Sequence, residues 1–299
     1  MCIRDSLISR VSKDLFSGKS IMGLSSSSLL DNSKIYSAIS FDNIYYLHNN
    51  LILDYQYVRS INENILGNGQ SLNFEYDSSL PLTFSYDMEV YDKKFNISKV
   101  GFNERNNLKN YELKVGYKNM NPLISIFRKY RLDLMYNKSE NFDDLNIGDQ
   151  ISLIGRFYTN KYNKISIGYV VDNEHHDDYY MYDYELEENG PAFLIPKTNR
   201  SFVKYSSDTK RKFHYATSFA SSLSVNRDRL FESRFNVSSN LSPSFNLKLG
   251  FEQILFKSSF DFLEIVKDDQ DESINHYIFS KTNGWNNSCL LYTSDAADE

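Results

Sequence analysis

The chain has 299 residues, 41% of them hydrophobic and 24% charged, with mean hydropathy -0.50 and a net charge of -6. No window approaches the ~20 consecutive apolar residues that a membrane-spanning helix requires, and the apolar fraction is too high for wholesale disorder. With 23 Tyr, 21 Phe and 31 Asn against 5 Pro and 12 Gly it is neither collagen-like nor a Pro-rich linker, and membrane-crossing strands remain compatible with its hydrophilic average.

The ends differ from the body. Met1-Cys2-Ile3-Arg4-Asp5-Ser6 and the stretch from Cys289 through Ala297 to Glu299 resemble translated sequencing-adapter read-through. The expectation is therefore an artefact at 1–6, a natural segment at 7–288 that is a fragment of a longer gene, and a second artefact at 289–299. Both cysteines, Cys2 and Cys289, fall in the suspected ends. On that reading the natural part holds no disulfide framework, zinc site or thiol nucleophile.

From there the body alternates with period two. Leu51, Leu53, Tyr55 and Tyr57 stand against Ile52, Asp54, Gln56 and Val58, and Leu72, Phe74 and Tyr76 against Ser71, Asn73, Glu75 and Asp77. Leu82, Phe84, Tyr86, Met88 and Val90 alternate with Thr83, Ser85, Asp87 and Glu89. The pattern returns at Tyr111–Tyr117, Tyr130–Tyr136, Ile165–Val171, Phe231–Val237 and Phe245–Phe251. Successive strand side chains point to opposite faces, so each run carries one apolar and one polar face. No stretch repeats apolar residues at helical spacing over three turns. The spacing predicts strands near 7–14, 19–27, 34–42, 50–58, 69–77, 82–90, 110–118, 124–137, 147–159, 163–172, 198–206, 212–223, 229–239 and 244–256. Most reach the ~9–11 residues that cross a bilayer when tilted.

Short polar links rich in Asn, Ser, Asp and Pro are expected at 78–81, 119–122, 160–162, 207–211 and 240–243. Longer polar stretches fall between them at 59–68, 91–109, 138–146, 173–197 and 257–275, with a modest link at 224–228. Alternation of tight turns with long loops is the habit of an outer-membrane up-and-down barrel, and a Greek-key sandwich has no reason to keep that parity. The expected fold class is all-β, an antiparallel up-and-down transmembrane β-barrel with about 14 strands visible and a partial wall. Apolar faces would meet outer-membrane lipid, and Asp, Glu, Lys, Asn and Ser faces would line a lumen.

The order of features resembles the C-terminal barrel region of the DUF5916 family, bacteroidete-type proteins in which a carbohydrate-binding family 9-like module precedes an outer-membrane β-barrel. Phe95-Asn96-Ile97-Ser98-Lys99-Val100-Gly101-Phe102-Asn103-Glu104-Arg105 looks like the family's F-x-P-x-x-G-F-x-x-R loop, with Ile97 or Ser98 where the family tends to carry proline. Tyr184-Glu185-Leu186, Ile195-Pro196 and the run from Phe202 through Asp208 to Arg211 resemble a second family segment, and Leu7 through Leu24 the opening barrel strands. The resemblance implies a bacterial outer-membrane location and a non-catalytic barrel that anchors, or serves as conduit for, an upstream carbohydrate-binding module. Glycan would then be a partner only through that module.

Other constellations are weaker. In the motif loop, Phe95, Gly101, Phe102 and Arg105 are read as structural: Gly101 permits a bend and Arg105 pairs with carboxylates of the polar face. Tyr179, Tyr180, Tyr182 and Tyr184 could stack on sugar rings, though a rim girdle accounts for them as well. Glu174-His175-His176-Asp177-Asp178 matches no standard metal spacing, and Asp268-Asp269-Gln270-Asp271-Glu272 lacks the glycine of a calcium loop. Gly67-Asn68-Gly69 reads as a turn, without the helix of a phosphate loop. Lys210-Arg211-Lys212 with a pI near 5.5 does not point to nucleic acid. No catalytic triad or carboxylate pair emerges from spacing, and no cofactor or metal is expected. Two other functions fit the sequence: an outer-membrane enzyme or transporter acting on glycans or lipids, and a soluble surface-attached all-β adhesin.

Overall fold

The computed structural model describes residues 5–31, 34–48, 50–77, 80–101, 103, 105–179, 182–183, 188–189, 191–226, 228–242, 245–267 and 275–295. Every regular element in them is a strand. They run β1 (Asp5–Leu15), β2 (Ser20–Asp31), β3 (Lys34–His48), β4 (Leu51–Asn62), β5 (Ile65–Asp77), β6 (Leu82–Tyr91), β7 (Leu108–Asn119), β8 (Phe127–Glu140), β9 (Asn146–Thr159) and β10 (Lys164–Asp172). Four short pieces follow: β11 (His175–Asp177), β12 (Tyr182–Asp183), β13 (Glu188–Asn189) and β14 (Phe193–Ile195). The long strands then resume with β15 (Thr198–Ser206), β16 (Phe213–Ser224), β17 (Arg229–Ser242), β18 (Phe245–Lys267) and β19 (Asn275–Asp295).

The chain divides into two compact units, Met1–Tyr117 with Met135–Asp149, and Lys118–Leu134 with Gln150–Glu299. In the first, β1 to β7 form a meander in which β1 through β6 each pair antiparallel with the next strand in the chain. In the second, β9 pairs with β10, β10 with β15, and the meander continues strand by strand to β19. Strand order is chain order, the up-and-down antiparallel topology that the alternation implied.

Register decides which side chains share a face, because a slip of one residue would invert every strand. In the first unit Asp54 opposes Asn73, Asn73 opposes Asp87, and Asp87 opposes Glu112, which makes one polar row across four strands. In the second, Ser166, Lys204, Ser218, Arg234, Glu252 and Ser288 oppose one another in turn. The other face carries Leu113, Val115, Leu153, Ile167, Phe219 and Phe235, all exposed. Among the described residues the buried hydrophobic side chains are Leu29 and Phe95, while Ser60, Thr83, Asp133, Ser152, Ser166 and Ser224 are buried on the polar face. A protein folding in water buries its apolar side chains. This arrangement is the reverse, and it is stable only where the apolar face meets hydrocarbon.

Several boundaries differ from the sequence reading. Residues 59–68 were expected as a loop, but β4 and β5 pair to Asn62↔Ile65, so Glu63 and Asn64 alone make the turn, Glu63 with φ 55. Gly67-Asn68-Gly69 is accordingly strand and not turn. The expected loop 257–275 is largely strand: β18 runs to Lys267 and pairs with β19 through two register shifts. β19 was not foreseen, because its Asn-rich sequence lacks clean alternation; with it the long strands among the described residues number 15. It continues past Ser288 to Asp295, with Cys289 paired to Phe251. The 173–197 stretch remains the longest link, but it contains β11 paired with β14 and β12 paired with β13.

Candidate functional site

The polar faces hold the charged chemistry. In the first unit Arg10 of β1 donates to both carboxylate oxygens of Asp42, at 2.9 and 2.6 Å, and to Ser25 Oγ at 3.0 Å. Gly23 lies beneath this fork, and a Cβ there would collide with Asp42 and Arg10. The bidentate geometry fixes the guanidinium plane against the wall. Asn73 donates to Asp87 on the next strand, and Ser139 Oγ and Asn137 Nδ2 donate to Asn110 Oδ1 at 2.7 and 3.2 Å. Apart from Lys114, the strand-centre charges of β3 to β7 on this face are the acids Asp42, Asp54, Asp87, Glu89 and Glu112.

The link 92–107 in this unit folds back onto the polar face. Phe95 is 1% exposed, and its ring stacks on Tyr91 with centroids 5.2 Å apart and planes 19° from parallel. A Cβ on Gly67 would collide with the backbone of Lys94 and Phe95, and one on Gly69 with the Tyr91 and Phe95 rings. The two glycines therefore form a socket by omission, a recognised use of glycine inside a strand. Polar ties hold the loop there: Asn96 N–H donates to the buried Ser60 Oγ at 3.1 Å and Asn62 Nδ2 donates to Asn96 O at 2.8 Å. Asp92 Oδ2 accepts from Asn68 N and Nδ2, at 2.7 and 3.0 Å. Lys93 pairs with Asp143, Lys109 with Asp144 at 3.1 Å, and Phe142 N donates to Asn107 Oδ1 at 2.9 Å, which ties the loop to the 141–145 turn.

Of the motif residues, Phe95 is thus the anchor. Gly101 closes a turn in which its N–H and that of Val100 donate to Ile97 O at 2.7 and 2.9 Å. A Cβ there would meet only the flexible end of Ile97. Arg105 is half-buried, donates from Nε to Asn106 O at 3.4 Å, and has its own carbonyl bonded by Asn103 Nδ2 at 2.7 Å. Phe102 lies outside the described residues.

The second unit is charged the other way. Asp133 of β8 is fully buried, bonded by Arg131 Nε at 2.6 Å and by Arg156 of β9. Arg200 pairs with Glu232 at 3.0 Å, and Arg234 with Glu252. Lys164 and Lys204 share this face, with Lys204 Nζ 5.1 Å from the Phe202 ring centre.

In the long link, Tyr179 is exposed and its N–H donates to Asp177 Oδ1 at 2.8 Å. Tyr182 enters β12 opposite Asn189; Tyr180 and Tyr184 lie outside the described residues, as does the acidic run 268–272. The tyrosines are therefore not shown to share a surface. His175 and His176 are consecutive in β11 and point to opposite sides, and among the described residues no group of three metal-ligating side chains converges. The sequence reading placed Asp87 and Glu89 on a polar face but missed Arg10–Asp42 and the Arg131–Asp133–Arg156 cluster. Their signal was present, as charges at polar-phase positions of adjacent strands, and only register joins them.

A search of curated protein sequences returned no match. Among solved structures, the siderophore receptor PirA from Pseudomonas aeruginosa is similar with a TM-score of 0.57 at 11% identity, over 97% of this chain and 63% of the receptor. This chain thus spans less than two thirds of that receptor's length. Pseudomonas aeruginosa OpdQ is similar with a TM-score of 0.51 at 10% identity, over 98% of this chain and 90% of that one. At these identities the likeness is one of fold, the antiparallel up-and-down β-barrel wall. Residues 37–287 match the family described as Domain of unknown function (DUF5916), and the chain belongs to that family.

Proposed function

We propose that this chain is the non-catalytic wall of an outer-membrane protein, held by lipid on its apolar face and offering its polar face to aqueous solute. In this role it anchors, or serves as conduit for, a carbohydrate-binding module carried elsewhere in the same protein. The observation that carries the membrane half is the inversion of burial: serines, threonine and a carboxylate are buried on one face while Leu, Ile and Phe stand exposed on the other. The module half rests on the resemblance of the Phe95–Arg105 stretch to the loop of a family whose members carry such a module.

The test uses the full-length gene product. Outer-membrane fractions should release it only into detergent, and planar bilayers containing it should show stepwise conductance. A protein that stays soluble and monodisperse without detergent would overturn the membrane reading. A detergent-folded protein that never conducts would leave the anchor and remove the conduit. Deleting the barrel should free a soluble form that still binds glycan; loss of all glycan binding in a folded, soluble remainder would remove the module.

A further inference from the structure

We infer that the polar face of β10, β15, β16 and β17 carries a binding site for a small oxyanion, with phosphate or a phosphate monoester as the ligand class. The site is a recess of about 270 Å³ whose lining includes Lys164, Ser166, Lys204, Ser218, Arg234 and Asn236. Three features make it an anion site and not merely a polar surface.

The first is charge. Lys164, Lys204 and Arg234 supply three cations, and Glu252 on the neighbouring strand is bonded to Arg234 through Nε alone. That pairing leaves guanidinium N–H groups for a ligand, since the fork carries five donors. Neither Lys164 nor Lys204 has a carboxylate within ion-pair distance among the described residues. This contrasts with Arg131, Arg156 and Arg200 in the same unit, each already held by an acid.

The second is space. Lys204 opposes Ser218, Ser218 opposes Arg234, and Lys164 opposes Ser206. Adjacent strands lie about 4.8 Å apart, so Lys204 and Arg234, two strands apart, stand about 10 Å from each other with only a serine between. Small side chains at Ser206, Ala216 and Ser218 leave a gap between long cationic arms, of a size to admit one tetrahedral oxyanion. It falls below the ~300–1,000 Å³ of pockets for drug-sized ligands.

The third is donor chemistry. The Ser206 hydroxyl donates to Ser207 O at 3.3 Å, but Ser166, Ser218 and Asn236 line the same recess, and hydroxyls and amides can bond the phosphate oxygens that the cations do not reach. Charge-assisted bonds of this kind are the stronger class.

The site goes beyond the anchor or conduit role, and its test does not depend on conduction. The full-length protein in a zwitterionic detergent at low salt is titrated with inorganic phosphate, followed calorimetrically, with chloride as the competing anion. Binding should be saturable and fall as salt rises, because exposed charges are screened over about 10 Å at 0.1 M. Lys204→Gln and Lys164→Gln should each weaken it about tenfold, the equivalent of one lost charge-assisted bond, and Glu252→Gln should tighten it by freeing Arg234. Native-gel mobility before and after heating checks that each variant is folded. Phosphate binding unchanged in a folded Lys164→Gln/Lys204→Gln double variant would overturn the proposal, as would no binding by the folded parent protein at millimolar phosphate. Repeating the titration in vesicles with and without phosphate-bearing anionic lipid separates the sources. Competition by the lipid assigns the site to a headgroup, contrary to its placement on the solute-facing side, and the absence of competition assigns it to a free solute.

Discussion

The two units are built from the same strand pattern and carry opposite electrostatics. On the polar face of the first, Asp42, Asp54, Asp87, Glu89 and Glu112 outnumber the cations, and Arg10 is fully engaged by Asp42. On the polar face of the second, Arg131, Arg156, Lys164, Arg200, Lys204 and Arg234 outnumber Asp133, Glu232 and Glu252. Alternation requires only that every second residue be polar; it is indifferent to the sign. The fold is thus set by periodicity, while charge on the polar face is free to vary and is where function can be written. The units also differ in covering. A loop is seated on the first polar face at Gly67 and Gly69, whereas the second keeps an open recess between lysines.

The strongest test of the comparison is Asp133→Ala. It removes the buried carboxylate that Arg131 and Arg156 share, and removal of one partner from a buried ion cluster costs about 3–5 kcal/mol. Urea unfolding in micelles should show a loss near the upper end of that range; a loss below about 1 kcal/mol would mean the cluster is hydrated and stabilises little. Next, Leu153→Arg on the apolar face should cost about 3 kcal/mol in bilayers, while Gln150→Arg on the polar face should be nearly neutral. Equal effects from the two would remove the distinction between lipid-facing and water-facing sides. Gly67→Ala should unseat the loop at about 2 kcal/mol, the range for overpacking a filled site. The readout is faster proteolysis within 92–107 with the strands intact, and an unchanged cleavage rate would show that the socket does not hold the loop. The smallest effect belongs to Glu232→Gln, whose half-exposed partner Arg200 should cost about 0.5 kcal/mol. Its value lies in selectivity, since the second polar face gains a net positive charge and reversal potentials in bilayers should shift toward anions.

Legibility in the sequence followed the range of the interaction. The run Leu82–Val90 was read almost to its boundaries, because alternation of apolar and polar residues is a property of neighbours. Gly67-Asn68-Gly69 was misread as a turn, because a glycine that admits Phe95 from a loop more than twenty residues away looks the same in sequence as one that bends the chain. The strand at Asn275–Asp295 was hidden because its Asn-rich sequence, with Asn286 and Asn287 in succession, breaks the alternation, and what holds it is pairing with β18. The motif around Phe95 was recognised, but its attachment to Ser60, Asn62 and Asn68 was not readable, since those partners belong to two other strands.

Sequence alone determined the class of the protein: all-β, antiparallel in chain order, one face apolar and one polar, because strand side chains alternate with a fixed period of two. Tertiary structure decided which charges meet. Arg10 finds Asp42 across 32 residues, and Arg156 finds Asp133 across 23. It also left Lys164 and Lys204 without an acid among the described residues and brought Phe95 onto two glycines. Those outcomes rest on register and loop path, which are set by the summed pairing of whole strands and are not carried by any local pattern.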